Sequence, residues 1–395
     1  MSDLENRIPA IQEALAEAGL DGWLFLAFQH NDPVSLQLLG LAEAFVSRRA
    51  YYLIPRQGEP RKLVHRLEPA MLDHLPGQKA EYLRWQELDE ELARLVAGGA
   101  RLAVQYSPGN ALPVISRLDA GTGERLRELG VELVSSADLV QRFAAVWSPE
   151  QLESHRRAAR HLHEIVHAAF GRVSEALRGG DEVDEFSIQQ FILERFERVG
   201  LMAEVAPIVG VNAHSADPHY QPGPDRSSPI RRGDFLLIDL WAKEKGPASI
   251  YADITWCGVS AEAPTARQQE IFGCVAAARD AAVDLVRRLY PQEIVRGYEV
   301  DDVCRAVIEQ AGYGEHFIHR TGHSIDTADH GQGANMDNLE THDTRPLIAM
   351  TGFSVEPGIY FPGDFGVRSE INVALTPEGV EVTGGQPQAE LLRLL

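Results

Sequence analysis

The sequence predicts a mixed α+β protein of two domains, residues 1–145 and 146–395. In the first domain, helical and strand-like periods alternate, which is typical of an α/β unit. In the second, a long helix pattern precedes strand-like runs, several of which carry a single acidic residue among apolar neighbours. A length of 395 residues suits two or three domains at roughly 150 residues each.

The first domain opens with a helix, because apolar residues recur at helical spacing over residues 3–19, where Gly19 ends the pattern. Apolar runs bounded by polar turns then predict strands and one further helix. The predicted strands are 22–28, 50–55, 61–67 and 101–106, and the helix is 85–98.

A long helix follows the domain boundary, within residues 144–177. Ser148 is a favourable N-cap, and Pro149 suits the first helical position. His163 and His167 are four residues apart in this helix and share a face. We interpret that face as solvated surface; the alternative, a metal site, needs a third ligand that the nearby sequence does not offer.

The rest of the second domain reads as helices, strands and one Pro- and Gly-rich loop, residues 218–234. Helices are predicted at 184–199, 264–289 and 299–312, and strands at about 205–211, 234–242, 249–259, 316–320, 352–361, 365–375 and 379–383.

Composition excludes several classes of partner. Lysine and arginine number 37 against 58 acidic residues, a net charge of −21, which disfavours nucleic acid and anionic membrane surfaces. No apolar run approaches the ~20 residues of a membrane span. The N-terminal stretch lacks the basic start and apolar run of a signal peptide. Three widely spaced cysteines predict no disulfide framework, so we expect a reducing, cytoplasmic setting.

Four strand-like runs each carry one carboxylate among apolar residues. A single such acid could face water at a sheet edge, but four in one region require compensating positive charge. Two divalent metal ions would balance four carboxylates and form a two-metal hydrolytic site. The acids are Asp239, Asp253, Glu356 and Glu370.

A fifth ligand is expected, and imidazole is the favoured type. The stretch "FIHRTGHSIDTADHGQ" at 317–332 lies between the two pairs of acids and carries three histidines. From the residues alone, a surface loop, a metal ligand and a proton relay all remain open for His319, His323 and His330.

The order Asp, Asp, His, Glu, Glu resembles the pita-bread metallopeptidases, and within them the Xaa-Pro peptidases, prolidase and aminopeptidase P. The resemblance covers about 150–385, and residues 1–145 are similar to the smaller N-terminal α/β domain of the same enzymes. It implies a C-terminal pita-bread (creatinase/aminopeptidase) fold. The matching segments are "APIVGVNAHSADPHY", "LLIDLWA…YADIT", "HRTGHSIDTADH", "SVEPGIYF" and "GVRSEINVALTPEG".

The resemblance implies a role for each matching residue. Asp253 and Glu370 would bridge both ions, Asp239 would hold one, and His323 would belong to the other. Glu356 would be both a ligand and the general base. Further catalytic and substrate-binding roles are implied for the flexible histidine His219, for His330 at the developing oxyanion, and for His319, Tyr360 and Arg368 in the pocket.

The implied reaction is hydrolysis of the peptide bond before proline by a water activated between two metal ions. Prolidase activity on dipeptides is favoured because the chain shows no additional domain; aminopeptidase P activity on longer proline-containing peptides is the alternative. A creatinase-like amidinohydrolase needs no metal, and a non-catalytic pita-bread binding protein would lose ligands, so retention of all five ligand types disfavours both.

The oxygen-rich ligand set favours Mn²⁺, with Co²⁺ or Zn²⁺ as substitutes. The resemblance implies a homodimer. The sequence departs from the family pattern in several places: "DLW" replaces Asp-x-Gly at the first ligand, the two aspartates are 14 residues apart instead of eleven, Tyr251 is shifted from the usual Gly-Tyr before the second aspartate, and "RSEI" lacks the acid that usually follows the last ligand. These changes leave every ligand in place, and we expect their effect to fall on the neighbouring contacts and on substrate preference.

Overall fold

The computed structural model describes residues 3–395, so Met1 and Ser2 lie outside the described chain. The chain divides into two compact units, one ending at Ala144 and the other beginning at Ala145. Within the described residues, every helix is too short or too polar to serve as a membrane span.

The first unit is a mixed sheet with helices around it. Its strands follow the order β4-β3-β2-β1-β5-β6, in which β1 is antiparallel to β2 and parallel to β5. The strands are β1 Gly22–Ala27, β2 Ala50–Pro55, β3 Arg61–His65, β4 Gln78–Tyr82, β5 Arg101–Val104 and β6 Glu132–Ser135. The helices are α1 Asp3–Glu17, α2 Pro33–Leu38, α3 Trp85–Val96, α4 Ala120–Glu128 and α5 Ala137–Val140, with a 3-10 turn at Pro108–Asn110 and a π-helical turn at Gln141–Ala145.

Hydrophobic burial explains these elements. Leu4, Ile8, Ile11 and Leu15 of α1 are buried in one apolar cluster with the sheet, as their helical spacing predicts. Gly19 takes a φ of +63°, which a glycine adopts without steric cost. The chain therefore leaves this helix where the sequence predicts its end.

The second unit contains long helices and several sheets. The helices are α6 Pro149–Gly179, α7 Glu185–Val199, α8 Ala266–Leu289 and α9 Gly297–Gln310, with 3-10 turns at Asn212–Ala216 and Gly314–His316. The strands are β7 Leu201–Met202, β8 Ile208–Val211, β9 Phe235–Glu244, β10 Ala252–Val259, β11 Ser324–Ile325, β12 Thr351–Val355, β13 Gly358–Tyr360, β14 Gly366–Arg368, β15 Ile371–Thr376, β16 Gly379–Thr383 and β17 Leu392–Arg393.

Three sheets arise from these strands. One has the order β17-β10-β9-β7 with β8 also paired to β9, the second has the order β11-β12-β15-β16, and the third pairs β13 with β14. Helix α6 packs on β9 and β10, and α8 and α9 pack on each other. The largest apolar cluster joins residues of β9 and β10 to residues of α8, α9, β12 and β15. The sheets that carry the acidic residues therefore share one core.

Helix α6 begins as its sequence predicts. Ser148 accepts a hydrogen bond from the Gln151 N–H, and the Gln151 side chain accepts one from the Ser148 N–H, which forms a capping box. Gly180 ends the helix at a φ of +81°. His163 and His167 pack edge-on against Trp256 on β10. Among the described residues, neither cluster of potential metal ligands includes them.

Three strand predictions are wrong in detail. Within the described chain, residues 316–320 form no strand; a 3-10 turn ends at His316 and irregular backbone follows. The runs 352–361 and 365–375 are each interrupted, so that Glu356 and Glu370 lie in breaks between strands. At the first break, Pro357 has no N–H to donate to a strand partner.

Candidate metal centre and active site

The hairpin of β9 and β10 brings two aspartates to one face. Asp239 lies opposite Thr255, and Asp253 lies opposite Trp241. Opposite residues of an antiparallel pair share a face and side chains alternate along each strand, so all four side chains project together. Both aspartates are buried. The 14-residue separation of the two aspartates does not disturb this register, because the additional residues lie in the connection beyond the paired residues.

The two glutamates lie in adjacent strand breaks. Val355 pairs with Ile371 at the end of β12 and β15, so Glu356 and Glu370 leave the sheet at the same level. Their backbone N–H groups remain satisfied: Glu356 donates to the Thr321 carbonyl at 2.7 Å and Glu370 to the Thr255 carbonyl at 3.2 Å. The breaks thus turn both carboxylates out of the ladder without leaving unpaired backbone donors.

His323 is positioned through its backbone, immediately before β11. Its N–H donates to Ser354 Oγ at 3.0 Å, and its carbonyl accepts from the Ser354 N–H at 2.9 Å. The imidazole Nε2 then lies 3.7 Å from Asp253 Oδ2 and 3.5 Å from Glu356 Oε1. The imidazole therefore lies close to one carboxylate of β10 and one of the break after β12.

The site has the donors that a divalent metal ion requires. Asp239 Oδ1, Asp253 Oδ1 and Glu370 Oε1 are enclosed and have no hydrogen-bond partner among the described residues. Ligand atoms of Asp253, His323 and Glu370 lie within 4.8 Å of one another. Unpaired carboxylate oxygens are costly to bury, and bound cations would satisfy them. The residues present therefore fit divalent metal binding.

The electrostatics of the carboxylates differ with their neighbours. Burial, and next the charge of Asp329, raise the pKa of Asp253 well above its usual value. Burial and the charge of Asp253 do the same to the pKa of Glu370. Burial also acts on Glu356, but the neighbouring His323, His319 and Arg368 outweigh it and lower the pKa of that carboxyl. Glu356 is therefore the carboxyl of this set whose pKa its neighbours lower.

Arg368 connects the site to a buried hydrogen-bond chain. Its guanidinium pairs closely with Asp239, donates to Thr255 Oγ1 at 3.0 Å and donates to the Tyr360 hydroxyl at 3.3 Å. The Tyr360 hydroxyl lies 2.8 Å from Nε2 of His319, whose Nδ1 faces the Arg320 carbonyl at 2.7 Å. Nδ1 of His319 therefore carries the proton and Nε2 accepts from Tyr360.

A cavity of about 620 Å³ unites most of the predicted residues. His219, Asp239, Asp253, His319, His323, His330, Glu356, Arg368 and Glu370 all line it. Tyr360 does not line it; the side chain is buried behind Arg368 and His319. His219 is exposed at the cavity, and its backbone N–H donates to Asp217 Oδ1 at 3.1 Å.

His330 lies against His323, with 4.1 Å between ring centroids. The Arg320 guanidinium donates to His330 Nδ1 at 3.3 Å, so Nε2 of the neutral ring carries the proton and can donate into the cavity. The neighbouring His323, burial and Arg320 together lower the pKa of His330 to about 3. The imidazole is therefore neutral near pH 7.

Sequence reasoning missed several residues of the cavity. Ile208, Pro218, Trp241, Ile318, Arg320, Asp329 and Glu340 also line it. The sequence did contain a signal for Trp241, because this residue replaces the glycine that the family pattern has two residues after the first ligand, on the same strand face as Asp239. Asp329 precedes His330 directly, yet its placement depends on the fold of the 326–331 loop. Burial raises the pKa of Asp329 to about 6.

The fold and the acid-rich cavity together are typical of a metal-dependent hydrolase. Comparison with known proteins identifies the family: the sequence pattern of metallopeptidase family M24 matches residues 155–377, more than half of the chain. The chain belongs to this family and is a peptidase, and membership implies that it binds divalent metal.

Individual relatives agree with this assignment. The probable dipeptidase PepE of Mycobacterium tuberculosis is 29% identical over 378 residues, which cover 95% of this chain and 92% of the relative. The crystal structure of dipeptidase PepE from Mycobacterium ulcerans superposes with a TM-score of 0.71 at 25% identity, covering 99% and 98% of the two chains. Prolidase from Thermococcus sibiricus has a TM-score of 0.66 at 22% identity, with complete coverage of both chains, which shows a common fold.

Proposed function

We propose that the chain is a dipeptidase that hydrolyses the bond before proline with two divalent metal ions. The observation that carries this proposal is the convergence of four carboxylates and one imidazole on a single cavity, with three enclosed carboxylate oxygens unpartnered among residues 3–395. Similarity to a dipeptidase over nearly the whole chain supports the short substrate.

Five side chains would hold the metal ions: Asp239, Asp253, His323, Glu356 and Glu370. Four oxygen donors against one nitrogen in this set favour Mn²⁺. When bound, the ions supply a Lewis acid for the scissile carbonyl and lower the pKa of water. Asp239 is suited to bind one metal ion because one of its oxygens pairs with Arg368 and the other has no partner among the described residues.

Glu356 is the general base in this proposal. Its lowered pKa keeps the carboxylate able to accept a proton near neutral pH. It takes one proton from the attacking water and delivers it to the prolyl nitrogen as the peptide bond breaks. The products are a free amino acid and proline. His330 donates from Nε2 to the oxygen that gains negative charge, and His219, exposed at the cavity, contacts the substrate from another side.

The cavity wall suits a proline residue. Ile208, Pro218, Trp241 and Ile318 offer apolar surface to a pyrrolidine ring, which has no N–H to satisfy. Arg320, and not Arg368, is the arginine available for the terminal carboxylate of a dipeptide. All three guanidinium nitrogens of Arg368 already donate within the protein, whereas Arg320 makes no carboxylate ion pair with its side chain among residues 3–395.

The test is hydrolysis by chelator-stripped protein reloaded with Mn²⁺, Co²⁺ or Zn²⁺. We expect cleavage of Ala-Pro only after metal addition, at least tenfold weaker cleavage of Ala-Ala and of Ala-Pro-Ala, and loss of activity in Glu356→Gln. Comparable cleavage of Ala-Pro-Ala would select the aminopeptidase alternative. Ala-Pro cleavage by metal-free protein, or none with any metal, would contradict the proposal.

A further inference from the structure

Asp329 is a cavity acid that none of the proposed metal or catalytic roles uses. Its side chain is about one quarter exposed (26%), while Oδ1 is enclosed and has no hydrogen-bond partner among residues 3–395. Oδ2 lies 3.9 Å from Nε2 of His330. A ligand atom of Asp329 lies within 4.8 Å of ring nitrogens of both His323 and His330. The carboxylate thus borders the metal centre on the side of these histidines.

Hydrogen bonds donated by backbone N–H groups fix the conformation of the loop that carries Asp329. Asp326 is buried and accepts from the Ala328 N–H at 2.7 Å and the Gln332 N–H at 2.7 Å. The Gly331 N–H donates to the Ser324 carbonyl at 2.6 Å, which ties the loop to β11. Asp329 therefore presents its carboxylate from a fixed position, as a recognition group requires.

The protein supplies no permanent cation to this carboxylate. Within the described chain, its ion-pair neighbour is His330, whose imidazole is neutral when it donates from Nε2 alone. Of the two arginines in the cavity, Arg368 is paired with Asp239 and Arg320 donates to the far nitrogen of His330. A partly enclosed carboxylate without a counter-ion gains free energy when a ligand brings one.

We propose that Asp329 binds the protonated α-amino group of the substrate's N-terminal residue. This inference rests on the proposed function, because a peptide cut at its first bond places that amine next to the reacting carbonyl, beside the metal ligands. Asp329 would then be the residue through which this chain distinguishes peptides with a free N-terminus from N-acylated ones. Asp329 would also favour cleavage at the first peptide bond over cleavage at internal bonds, because an internal residue has no protonated α-amino group for the carboxylate to bind.

The test compares a substrate with its analogue that lacks only the amine. Ala-Pro and propionyl-proline share one skeleton, so the ratio of their kcat/KM values measures recognition of the ammonium. Wild-type protein is expected to prefer Ala-Pro by about 10- to 100-fold, as for a charge-assisted hydrogen bond. In Asp329→Asn this preference should fall at least tenfold, mainly through a higher KM for Ala-Pro, with unchanged bound metal per chain.

Glu340→Gln is the matched control. Glu340 is an exposed acid of the same cavity, and its carboxylate already accepts a hydrogen bond from the backbone N–H of Arg320. Glu340→Gln removes one negative charge from the cavity, as Asp329→Asn does. The ratio should stay near the wild-type value in this variant. An equal loss in both variants would overturn the assignment to Asp329 and indicate a general charge effect.

Two further results would overturn the inference. An unchanged ratio in Asp329→Asn would show that the amine is bound elsewhere, and a fall in bound metal would make Asp329 a metal ligand. Failure of the proposed function looks different. If wild-type protein cleaves Ala-Ala as well as Ala-Pro, proline specificity is lost, and Ala-Ala with propionyl-alanine still tests Asp329. No cleavage of any dipeptide by metal-loaded protein would overturn both.

Discussion

At the scale of single residues, the site combines one internal counter-ion with an excess of negative charge. Arg368 compensates Asp239, but Asp253 and Glu370 face each other and Glu356 without a cation of comparable proximity. Burial in low dielectric strengthens this repulsion. The protein therefore carries a destabilised cluster whose stabilisation we assign to bound metal ions.

Replacing Glu370 by glutamine tests this repulsion. The amide oxygen can still accept from Thr255 Oγ1, which lies 2.8 Å from Glu370 Oε2. With metal chelated at pH 8, Glu370→Gln should raise the free energy of unfolding by about 0.5–2 kcal/mol, because one buried charge is gone. The same variant should bind metal at least tenfold more weakly. Urea unfolding and calorimetry measure the two effects.

Glu340→Gln is again the control, since an exposed substitution changes stability by less than about 0.5 kcal/mol. Destabilisation of the chelated protein by Glu370→Gln would show that the glutamate contributes more through its contacts than it costs through its charge.

At the scale of elements, α6 is attached to the second unit by a buried histidine. His155 is fully buried, its Nδ1–H donates to the Tyr251 carbonyl at 2.6 Å, and its Nε2 accepts from Thr383 at 2.8 Å. Burial lowers its pKa to about 4. The neutral ring thus links α6 to the start of β10 and the end of β16.

This histidine predicts a pH dependence of stability. The folded-state pKa lies below the unfolded value of 6.5, so the unfolded chain binds the proton first as pH falls. The contribution of about 3 kcal/mol is complete above pH 6.5 and is lost as pH falls towards 4. Comparing wild type with His155→Asn by urea unfolding from pH 7.5 to 4 isolates this group. A pH-independent difference between the two proteins would contradict the assignment.

Glycines fix the element that carries His323. A Cβ on Gly322 would lie 1.9 Å from the Ser354 carbonyl oxygen, so Gly322→Ala must push β12 away from the metal ligand. We expect reduced metal affinity and destabilisation of about 1–3 kcal/mol. Gly171→Ala is the control inside α6, where nothing lies within 4 Å of the added carbon; it should stabilise by about 0.5–1 kcal/mol. Equal metal affinity in both variants would contradict the positional role.

The same elements show what sequence can and cannot predict. Capping residues such as Ser148 and apolar periodicity located the long helices, and isolated acids in apolar runs identified Asp239 and Asp253. The strand break at Glu356 had a sequence signal in Pro357, which the prediction passed over. At Glu370 the pairing depends on tertiary contacts such as the bond from its N–H to the Thr255 carbonyl, which the local sequence does not reveal. Asp329 and Arg320 reach the cavity through irregular backbone, for which no period exists.

At the scale of the whole molecule, every candidate ligand belongs to the unit that begins at Ala145. The family match, residues 155–377, falls inside the same unit. The homodimer and the cytoplasmic setting remain predictions, and light scattering in solution tests the former.

The number of divalent ions bound per chain tests the central claim most directly. Chelator-stripped protein is dialysed against Mn²⁺, and bound metal is measured by elemental analysis together with a calorimetric titration. We predict two ions per chain for wild type, clear loss of binding in Glu370→Gln, and a rise of about 2.7 kcal/mol per bound ion in the free energy of unfolding when free metal is 100-fold above Kd. Wild-type protein that binds no Mn²⁺, Co²⁺ or Zn²⁺ and has the same stability with and without them would contradict the account.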